Sequence, residues 1–256
     1  MIEYALPKSG GTARATILGM ADMVDVLALQ ETTRATLPAD KKMFVLPQPT
    51  SYFQKLLSCE SGMMIGIRSS EGLLIGQMAL MGPMRLSEAI AKNLITSNEV
   101  SFHHAGLNDS VIIFKSMATH PAFRGNNLGA NLVGFALDLP FTRVADHVFA
   151  QVSVGNKRSW DVFAKNGFGI VAAAYDVNDD QPRFIFQKPA IDFDLSPEIS
   201  ADDVDAVEDF DAIVTLTQQE AMIGFYERGS TERLSFRESE DTSIIMPTLA
   251  KVEAAQ

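Results

Sequence analysis

Residues 116–130 read Ser-Met-Ala-Thr-His-Pro-Ala-Phe-Arg-Gly-Asn-Asn-Leu-Gly-Ala, and they follow the apolar, strand-like run Val-Ile-Ile-Phe at residues 111–114. They lead through a turn of small and polar residues into an amphipathic helix pattern. Such a turn lets the backbone approach a ligand closely, and the free N–H groups at a helix N-terminus attract anions. The stretch therefore predicts a phosphate-binding turn. An ordinary strand-to-helix connection is the alternative, and the surrounding sequence has to decide between the two.

Length and composition indicate a globular protein. The chain has 256 residues, of which 46% are apolar and 8% aromatic, so it can bury a sizeable core as one large domain or as a domain with an appendage. Its single cysteine, Cys59, excludes an internal disulfide. The start of the chain lacks the pattern of a secretion signal, and no apolar run approaches the length of a bilayer span. We therefore expect a cytoplasmic protein that does not enter a membrane.

Negative charge is concentrated at the C-terminal end. Residues 190–256 carry 16 acidic and four basic side chains, a net charge of -12, whereas residues 1–189 carry 16 acidic and 17 basic side chains, a net charge of +1. The body gives no charge argument for nucleic acid, and the acidic tail would repel phosphates. A solvated acidic surface is the favoured interpretation of the tail, ahead of a site for a specific basic partner.

Hydrophobic periodicity predicts strands and helices on both sides of residues 116–130. N-cap residue types mark the starts of several helices. The elements predicted upstream are a strand at 12–18, a helix at 22–34 capped by Asp22, a short helix capped by Ser51, a hairpin of 63–68 and 73–80, and a helix at 88–95 capped by Ser87. The elements predicted downstream are a helix at 128–139, a strand at 148–154, a helix from Asn156 to Gly167, and a hairpin of 170–175 and 183–188.

A long connection at residues 82–109 contains two adjacent histidines, His103 and His104. Long connections are often functional, but adjacent histidines in a polar loop are more simply explained by solvent exposure. Metal sites need further ligands at suitable spacing, and none is evident. We therefore predict no metal site.

Two segments together carry a family resemblance. Residues 124–129, Arg-Gly-Asn-Asn-Leu-Gly, resemble the Arg/Gln-x-x-Gly-x-Gly/Ala acetyl-CoA motif of the GCN5-related N-acetyltransferases (GNAT). Residues 156–168 are similar to that family's Asn-x-x-Ala-x-x-Leu-Tyr-x-Lys-x-Gly-Phe segment at unbroken spacing. The two segments occur in the family's order, about 30 residues apart, with the strands and helices expected between them. By resemblance, residues 1–189 form a GNAT domain of the α/β class.

The resemblance implies a mixed, mostly antiparallel sheet flanked by helices, in which the fourth and fifth strands, residues 111–119 and 148–154, splay apart. Acetyl-CoA, the acyl donor, is expected in that wedge. The residues implied to hold its pantetheine arm and thioester carbonyl are Met117, Ala118 and Thr119. Those implied to hold its pyrophosphate are Arg124, Gly125, Asn126, Asn127, Leu128, Gly129 and Ala130. The second segment is expected to contribute Asn156, Ser159 and Phe163.

Two positions depart from the family pattern. Asn127 stands where the motif usually has glycine, and asparagine tolerates left-handed backbone angles better than most residues do. Phe163 stands where many members have a tyrosine that protonates the departing thiolate. Phenylalanine has no such proton, so the role is lost or passes to water or to Ser159. Phe163 is as readily explained by core packing as by cofactor contact.

The reaction also needs a base, because only a neutral amine is a nucleophile. Family members often use a carboxylate near the fourth strand, but residues 111–119 contain no acid. The available candidates are Glu99, His103, His104 and Asp109. His104 is the favoured one because imidazole titrates near neutral pH. Catalysis by positioning alone, without a dedicated base, fits equally well.

Residues 190–256 lie beyond the usual end of the family domain. Residues 202–226 have helix potential, and residues 242–250 form an apolar, strand-capable run. We expect this C-terminal extension to dock on the body or to build a homodimer. A disordered acidic linker is the alternative, which its charge fits but its Ile, Met and Phe content does not.

The function predicted from the sequence is transfer of an acetyl group from acetyl-CoA to a primary amine, by direct attack in a ternary complex. The sequence does not identify the acceptor amine. The alternative is a non-catalytic acyl-CoA-binding or interaction module, which Phe163 and the acid-free strand favour. A transferase for a longer acyl chain is a third reading.

Overall fold

A computed structural model describes residues 2–95, 105–153, 155–176, 181–189, 232–238 and 244–251. The chain divides into two compact units, one formed by Met1–Met84 with Val111–Ala145 and the other by Arg85–Ser110 with Asp146–Gln256.

The first unit is built on a sheet whose strand order is β1-β2-β3-β4-β5. The pairs β1/β2, β2/β3 and β3/β4 are antiparallel. Its strands are β1 (Ile2–Ala5), β2 (Thr12–Leu18), β3 (Gly62–Ser69), β4 (Leu74–Arg85) and β5 (Ser110–Thr119), and its helices are α1 (Met23–Ala35), α2 (Thr50–Leu57), α4 (Leu128–Asp138) and α5 (Pro140–Arg143).

Strand β4 shows that both faces of this sheet are covered. Its first eight residues are all buried, which is the pattern of a strand with neighbours on both faces. Helices α2 and α4 each contact β3, with Phe53 and Leu56 of α2 and Leu132 of α4 fully buried. The first unit therefore has a continuous apolar core on which the segment after β5 is mounted.

The second unit contains α3 (Leu86–Ala91), β6 (His147–Ser153), α6 (Lys157–Lys165), β7 (Gly169–Asp176), β8 (Gln181–Pro189), β9 (Glu232–Glu238) and β10 (Ile244–Lys251). Its strands follow the order β6-β8-β7-β10-β9. The four neighbouring pairs are antiparallel. Three aromatic rings form the core around α6: Phe163 lies 5.2 Å from Phe168 and 5.7 Å from Phe186, centroid to centroid.

Most predicted elements are confirmed, including the mixed α/β class with mostly antiparallel strands and flanking helices. Strand β1 was not predicted, because four residues are too few to show a period. Residues 244–251 form a strand that overlaps the run predicted at 242–250. The helix predicted at 202–226 lies outside the described residues, as does most of the C-terminal extension, so the domain boundary at 189/190 stays a prediction. The splay of residues 111–119 from 148–154 concerns one strand of each unit and also stays a prediction.

Three predicted caps behave differently from expectation. The Ser51 cap is wrong, because α2 begins at Thr50 after Pro49, whose fixed φ of -65° suits the residue before a helix. The Ser87 cap is wrong because α3 begins at Leu86. Asp22 does stand at the N-cap of α1, but its carboxylate accepts the N–H of Gly19 and pairs with the Arg68 guanidinium instead of capping the helix.

None of the helices in the described part of the chain is long and apolar enough to cross a membrane.

Candidate functional site

Strand β5 has a backbone irregularity near its end, at Ser116. This residue has φ of +52°, a left-handed conformation that is unusual for serine. Its hydroxyl lies 3.0 Å from the Tyr52 hydroxyl of α2. Burial raises the pKa of Tyr52, and the hydrogen bond to Ser116 opposes that rise only in part. The Tyr52 phenol of α2, whose raised pKa favours its neutral form, therefore lies next to the left-handed position at the end of β5.

The last residues of β5 are tied to neighbouring elements of the first unit. The Thr33 hydroxyl of α1 donates to the carbonyl oxygen of Thr119 at 3.3 Å, and the N–H of His120 donates to the carbonyl oxygen of Ile75 at 2.8 Å. Ala118 is buried, and Met117 is half-buried. Of the three residues predicted to hold the pantetheine arm, Thr119 thus has its carbonyl already engaged within the protein.

The turn itself starts with a short 3-10 helix, Pro121–Phe123, whose N-cap is His120. The N–H of Ala122 donates to Nδ1 of His120 at 3.3 Å. The Arg124 guanidinium then reaches back to the C-terminal end of α1, where it donates to the hydroxyl of the C-cap residue Thr36 at 3.4 Å. Arg124 is half-buried, so its charge stays accessible from solvent.

Asn126 is buried, with 1% of its surface exposed, and its amide is fully used inside the first unit. The Oδ1 atom accepts the N–H of Lys8 at 2.7 Å and that of Ser9 at 3.3 Å. The Nδ2 group donates to the carbonyl of Phe123 at 2.9 Å and to the Ser9 hydroxyl at 3.1 Å. The side chain of Asn126 therefore shapes the turn. The resemblance implied pyrophosphate binding by its backbone N–H, and that expectation stays a prediction.

Gly125 has φ of +81°, and a side chain there would collide with Lys8. An added Cβ would lie 2.7 Å from Nζ, 2.8 Å from Cδ and 2.9 Å from Cε of Lys8. The positive φ favours a glycine at this position. The flexible end of Lys8 lies where a Cβ would stand, so a side chain here would also displace that lysine. Sequence reasoning missed Lys8, because it lies 117 positions away in the chain and belongs to no motif.

Asn127 has φ of +56° and ψ of +23°, the left-handed conformation anticipated from its asparagine side chain. It is the N-cap of α4, and Leu128, Gly129 and Ala130 form the first turn of that helix. Their N–H groups have no acceptor within the helix, as in any α-helix. Gly129 is buried within this turn. The predicted geometry of a sharp turn feeding a helix N-terminus is present.

In the second unit, Asn156 caps α6: its Oδ1 accepts the N–H of Ser159 at 3.3 Å. This leaves the Nδ2 group of Asn156 as the part of the side chain that could meet a ligand. The Ser159 hydroxyl is half-buried on the first turn of α6. Phe163 is 4% exposed and packs among Phe168 and Phe186, so the structure supports a core role, and its contact with a cofactor stays a prediction.

Of the proposed bases, His104, His103 and Glu99 lie outside the described residues. Asp109 is described, and its carboxylate accepts the N–H of Gly106 at 2.6 Å and pairs with Nε2 of His147 at 3.1 Å. The hydrogen bond from Gly106 is the main reason that the pKa of Asp109 lies below its usual value, and His147 contributes further. A carboxylate stabilised in its ionised form is a weaker base, so Asp109 is a less suitable candidate for the general base.

The His147 ring is a buried polar group that the sequence analysis did not single out. Its Nδ1 lies 3.0 Å from Nε2 of Gln187, and its Nε2 lies 3.1 Å from the Asp109 carboxylate. The ring thus joins β6, β8 and the residues before β5 within the second unit. Among the described residues, no three His, Cys, Asp or Glu side chains meet in a way that could hold a metal ion.

Comparisons with known proteins agree with this geometry. The sequence model of the acetyltransferase (GNAT) family matches residues 94–168. An N-acetyltransferase from Staphylococcus aureus Mu50 superposes with a TM-score of 0.50 at 12% identity, covering 70% of this chain and 99% of that one. The ribosomal-protein-S18-alanine N-acetyltransferase from Escherichia coli gives a TM-score of 0.50 at 11% identity, covering 72% and 97%.

No curated protein sequence matches this chain significantly. At 11–12% identity the solved structures show a shared fold and nothing about the substrate. The family match covers both segments that carry the resemblance, residues 124–129 and 156–168. The chain therefore shares the fold of these N-acetyltransferases, and its residues 94–168 match the sequence model of the acetyltransferase (GNAT) family.

Proposed function

We propose that the protein is an N-acetyltransferase that moves the acetyl group of acetyl-CoA to a primary amine. The observation that carries the proposal is the left-handed Asn127, which directs the chain from the turn into the N-terminus of α4 inside the family match. GNAT enzymes use acetyl-CoA as acyl donor, and this turn has the form that a pyrophosphate needs.

In this proposal, backbone N–H groups of the turn and of the first turn of α4 hold the pyrophosphate. The residues concerned are Arg124, Gly125, Asn126, Asn127, Leu128, Gly129 and Ala130. A negative charge at a helix N-terminus is stabilised by about 0.3–1 kcal/mol, and several directed N–H groups add to this. The guanidinium of Arg124 provides a full positive charge at the same turn.

The thioester is proposed to lie along Met117, Ala118 and Thr119. The amine nitrogen attacks the thioester carbonyl carbon, the C–N bond forms, and the C–S bond then breaks to release the CoA thiolate. Holding the two reactants together provides most of the rate acceleration in this proposal. N–H groups near the developing oxyanion stabilise the transition state and provide the remainder. Asn156, Ser159 and Phe163 are proposed to line the pantetheine arm.

Two proton transfers complete the reaction. The attacking nitrogen loses a proton to a base, for which His104 is proposed, and the thiolate gains a proton from an acid, for which Ser159 is proposed in place of the missing tyrosine. Tyr52 of the first unit is a further candidate for this acid, since its hydroxyl lies against Ser116, directly before the proposed thioester site. Water is the remaining donor.

The decisive test is release of free thiol from acetyl-CoA over a panel of amines, polyamines, amino acids and peptides. Turnover with any acceptor supports the transferase. Calorimetric binding of acetyl-CoA without turnover supports a non-catalytic acyl-CoA-binding module instead, and absence of binding contradicts both. Including longer acyl-CoA donors shows whether acetyl is the preferred group.

The C-terminal extension is proposed to dock on the body or to form a homodimer. Supporting this, β10 pairs with β7, with Ile244 opposite Ala174 and Ile245 opposite Ala173. Deleting residues 196–256 and measuring mass in solution tests the idea. An unchanged oligomeric state together with unchanged solubility would contradict it.

A further inference from the structure

The β1–β2 connection brings a lysine to the turn before α4. Its tip is closed by the N–H of Gly10 donating to the carbonyl of Leu6 at 2.8 Å and the N–H of Leu6 donating to the carbonyl of Gly11 at 3.0 Å. Gly10 and Gly11 both have positive φ, which a tight reversal requires. We call residues 2–18 the N-terminal hairpin, and Lys8 lies at its tip.

Asn126 holds this tip in place. Both backbone N–H groups that follow Pro7, those of Lys8 and Ser9, donate to Oδ1 of Asn126, and the amide of Asn126 is buried. A second link lies nearby, since the Tyr4 hydroxyl donates to the carbonyl of Asn131 in α4 at 3.3 Å. The hairpin is therefore attached both to the turn and to the helix that follows it.

The side chain of Lys8 then runs over the backbone of Gly125. The contact distances to a Cβ built at Gly125 show that Cδ, Cε and Nζ all lie against this one residue. Lys8 remains exposed, and none of the acidic side chains among the described residues lies within 4.0 Å of its ammonium group. An unpaired cation is thus placed next to a glycine whose N–H is free to face a ligand.

From this placement we infer that Lys8 binds a phosphate group of CoA, so that the cofactor site includes a residue from the N-terminal hairpin. The inference rests on the proposed function. Lysine is a common point-charge partner of phosphates, and an ammonium group next to the N-terminus of α4 adds a full charge to the partial charge of the helix dipole. The competing explanation is that the lysine stem only covers Gly125, in the manner of any snorkelling side chain.

Calorimetric titration with CoA distinguishes these explanations. Lys8→Ala should weaken CoA binding roughly tenfold, and Lys8→Arg should restore most of the affinity because it keeps the charge. Lys41→Ala, which removes an exposed lysine from the first unit, should bind as the wild type does. The penalty of Lys8→Ala should shrink as NaCl rises from about 50 to about 500 mM, because salt screens an exposed ion pair.

Comparison of ligands locates the contact. If Lys8→Ala loses the same factor with 3′-dephospho-CoA, the lysine binds the pyrophosphate; if the loss disappears, it binds the 3′-phosphate. Wild-type affinity of Lys8→Ala for CoA would overturn the inference while leaving the proposed function intact. A loss that neither Lys8→Arg nor salt changes would also overturn it, by showing a packing role. Failure of the wild-type protein itself to bind CoA would instead overturn the proposed function, and the inference with it.

Discussion

The two motif segments are held in very different ways. In residues 116–130, the side chains of Ser116, Arg124 and Asn126 are bound by partners from β1–β2, α1 and α2 that lie 64 to 118 positions away. In residues 156–168, the polar contacts join near neighbours: Asn156 caps Ser159, and Asn166 bonds to Val162, although Lys188 also donates to the Asn166 carbonyl. The first segment depends on the tertiary structure of its unit, whereas the second is largely shaped by its own sequence.

The largest effect is expected at the proposed pyrophosphate site of the first segment. Gly129→Leu should raise the Kd for acetyl-CoA at least ~100-fold, because a bulky side chain in the buried first turn of α4 blocks close approach of the phosphate. Gly134→Leu, a half-buried glycine of the same helix, controls for the effect of leucine in α4. Wild-type affinity of a folded Gly129→Leu protein would contradict the cofactor assignment.

Removing the hydrogen bonds that join Asn126 to the N-terminal hairpin should lower stability substantially. Asn126→Ala leaves the N–H groups of Lys8 and Ser9 without their buried acceptor, so the free energy of unfolding should fall by about 1–3 kcal/mol. Urea denaturation measures this, and acetyl-CoA affinity should fall in parallel. If stability were unchanged, the hairpin would not depend on Asn126.

A polar group introduced at Phe163 should destabilise the aromatic core around α6. Phe163→Tyr places a hydroxyl among Phe168 and Phe186, where burial without a partner costs about 1–3 kcal/mol. Thermal unfolding measures the loss, with Phe163→Leu as a nonpolar comparison. Unchanged stability together with higher turnover would show instead that position 163 faces the cofactor.

Removing the Asn156 cap of α6 should lower stability less than removing the hydrogen bonds of Asn126. Asn156→Ala should lower the free energy of unfolding by about 1 kcal/mol, and Asn156→Asp should retain most of it, because either oxygen can accept the N–H of Ser159. Denaturant midpoints of the two variants test this. A loss as large as that of Asn126→Ala would remove the distinction between the segments.

The smallest effect concerns pH. The raised pKa of Tyr52 means that the folded state disfavours the phenolate, so its contribution to stability is present below the unfolded value of about 10 and is lost as pH rises above it. Tyr52→Phe should therefore flatten the loss of stability between about pH 9 and 11. Tyr4→Phe should act in the same direction, because burial also raises the pKa of Tyr4 and the charge of Asp138 adds to that rise. Identical pH curves for wild type and Tyr52→Phe would contradict the effect of burial.

Much of the local structure followed from the sequence because its signals are short-range. The strand at 12–18, the Asn156 cap and the left-handed Asn127 each depend on residue type and immediate neighbours. The failures have physical causes as well. Ser51 and Ser87 carry good cap side chains, yet Pro49 and Arg85 take the N-cap positions because chain entry is set by packing of α2 and α3.

The sequence by itself determined the family segment, the turn into α4 and the cap of α6, since motif spacing and backbone preferences act within a few residues. Only the tertiary structure decided what surrounds residues 116–130. It placed Lys8 on Gly125, buried the amide of Asn126 against the N-terminal hairpin, and brought Tyr52 to Ser116. These pairs are far apart along the chain and carry no periodic signal, so only the folding of the β1–β5 sheet reveals that they meet.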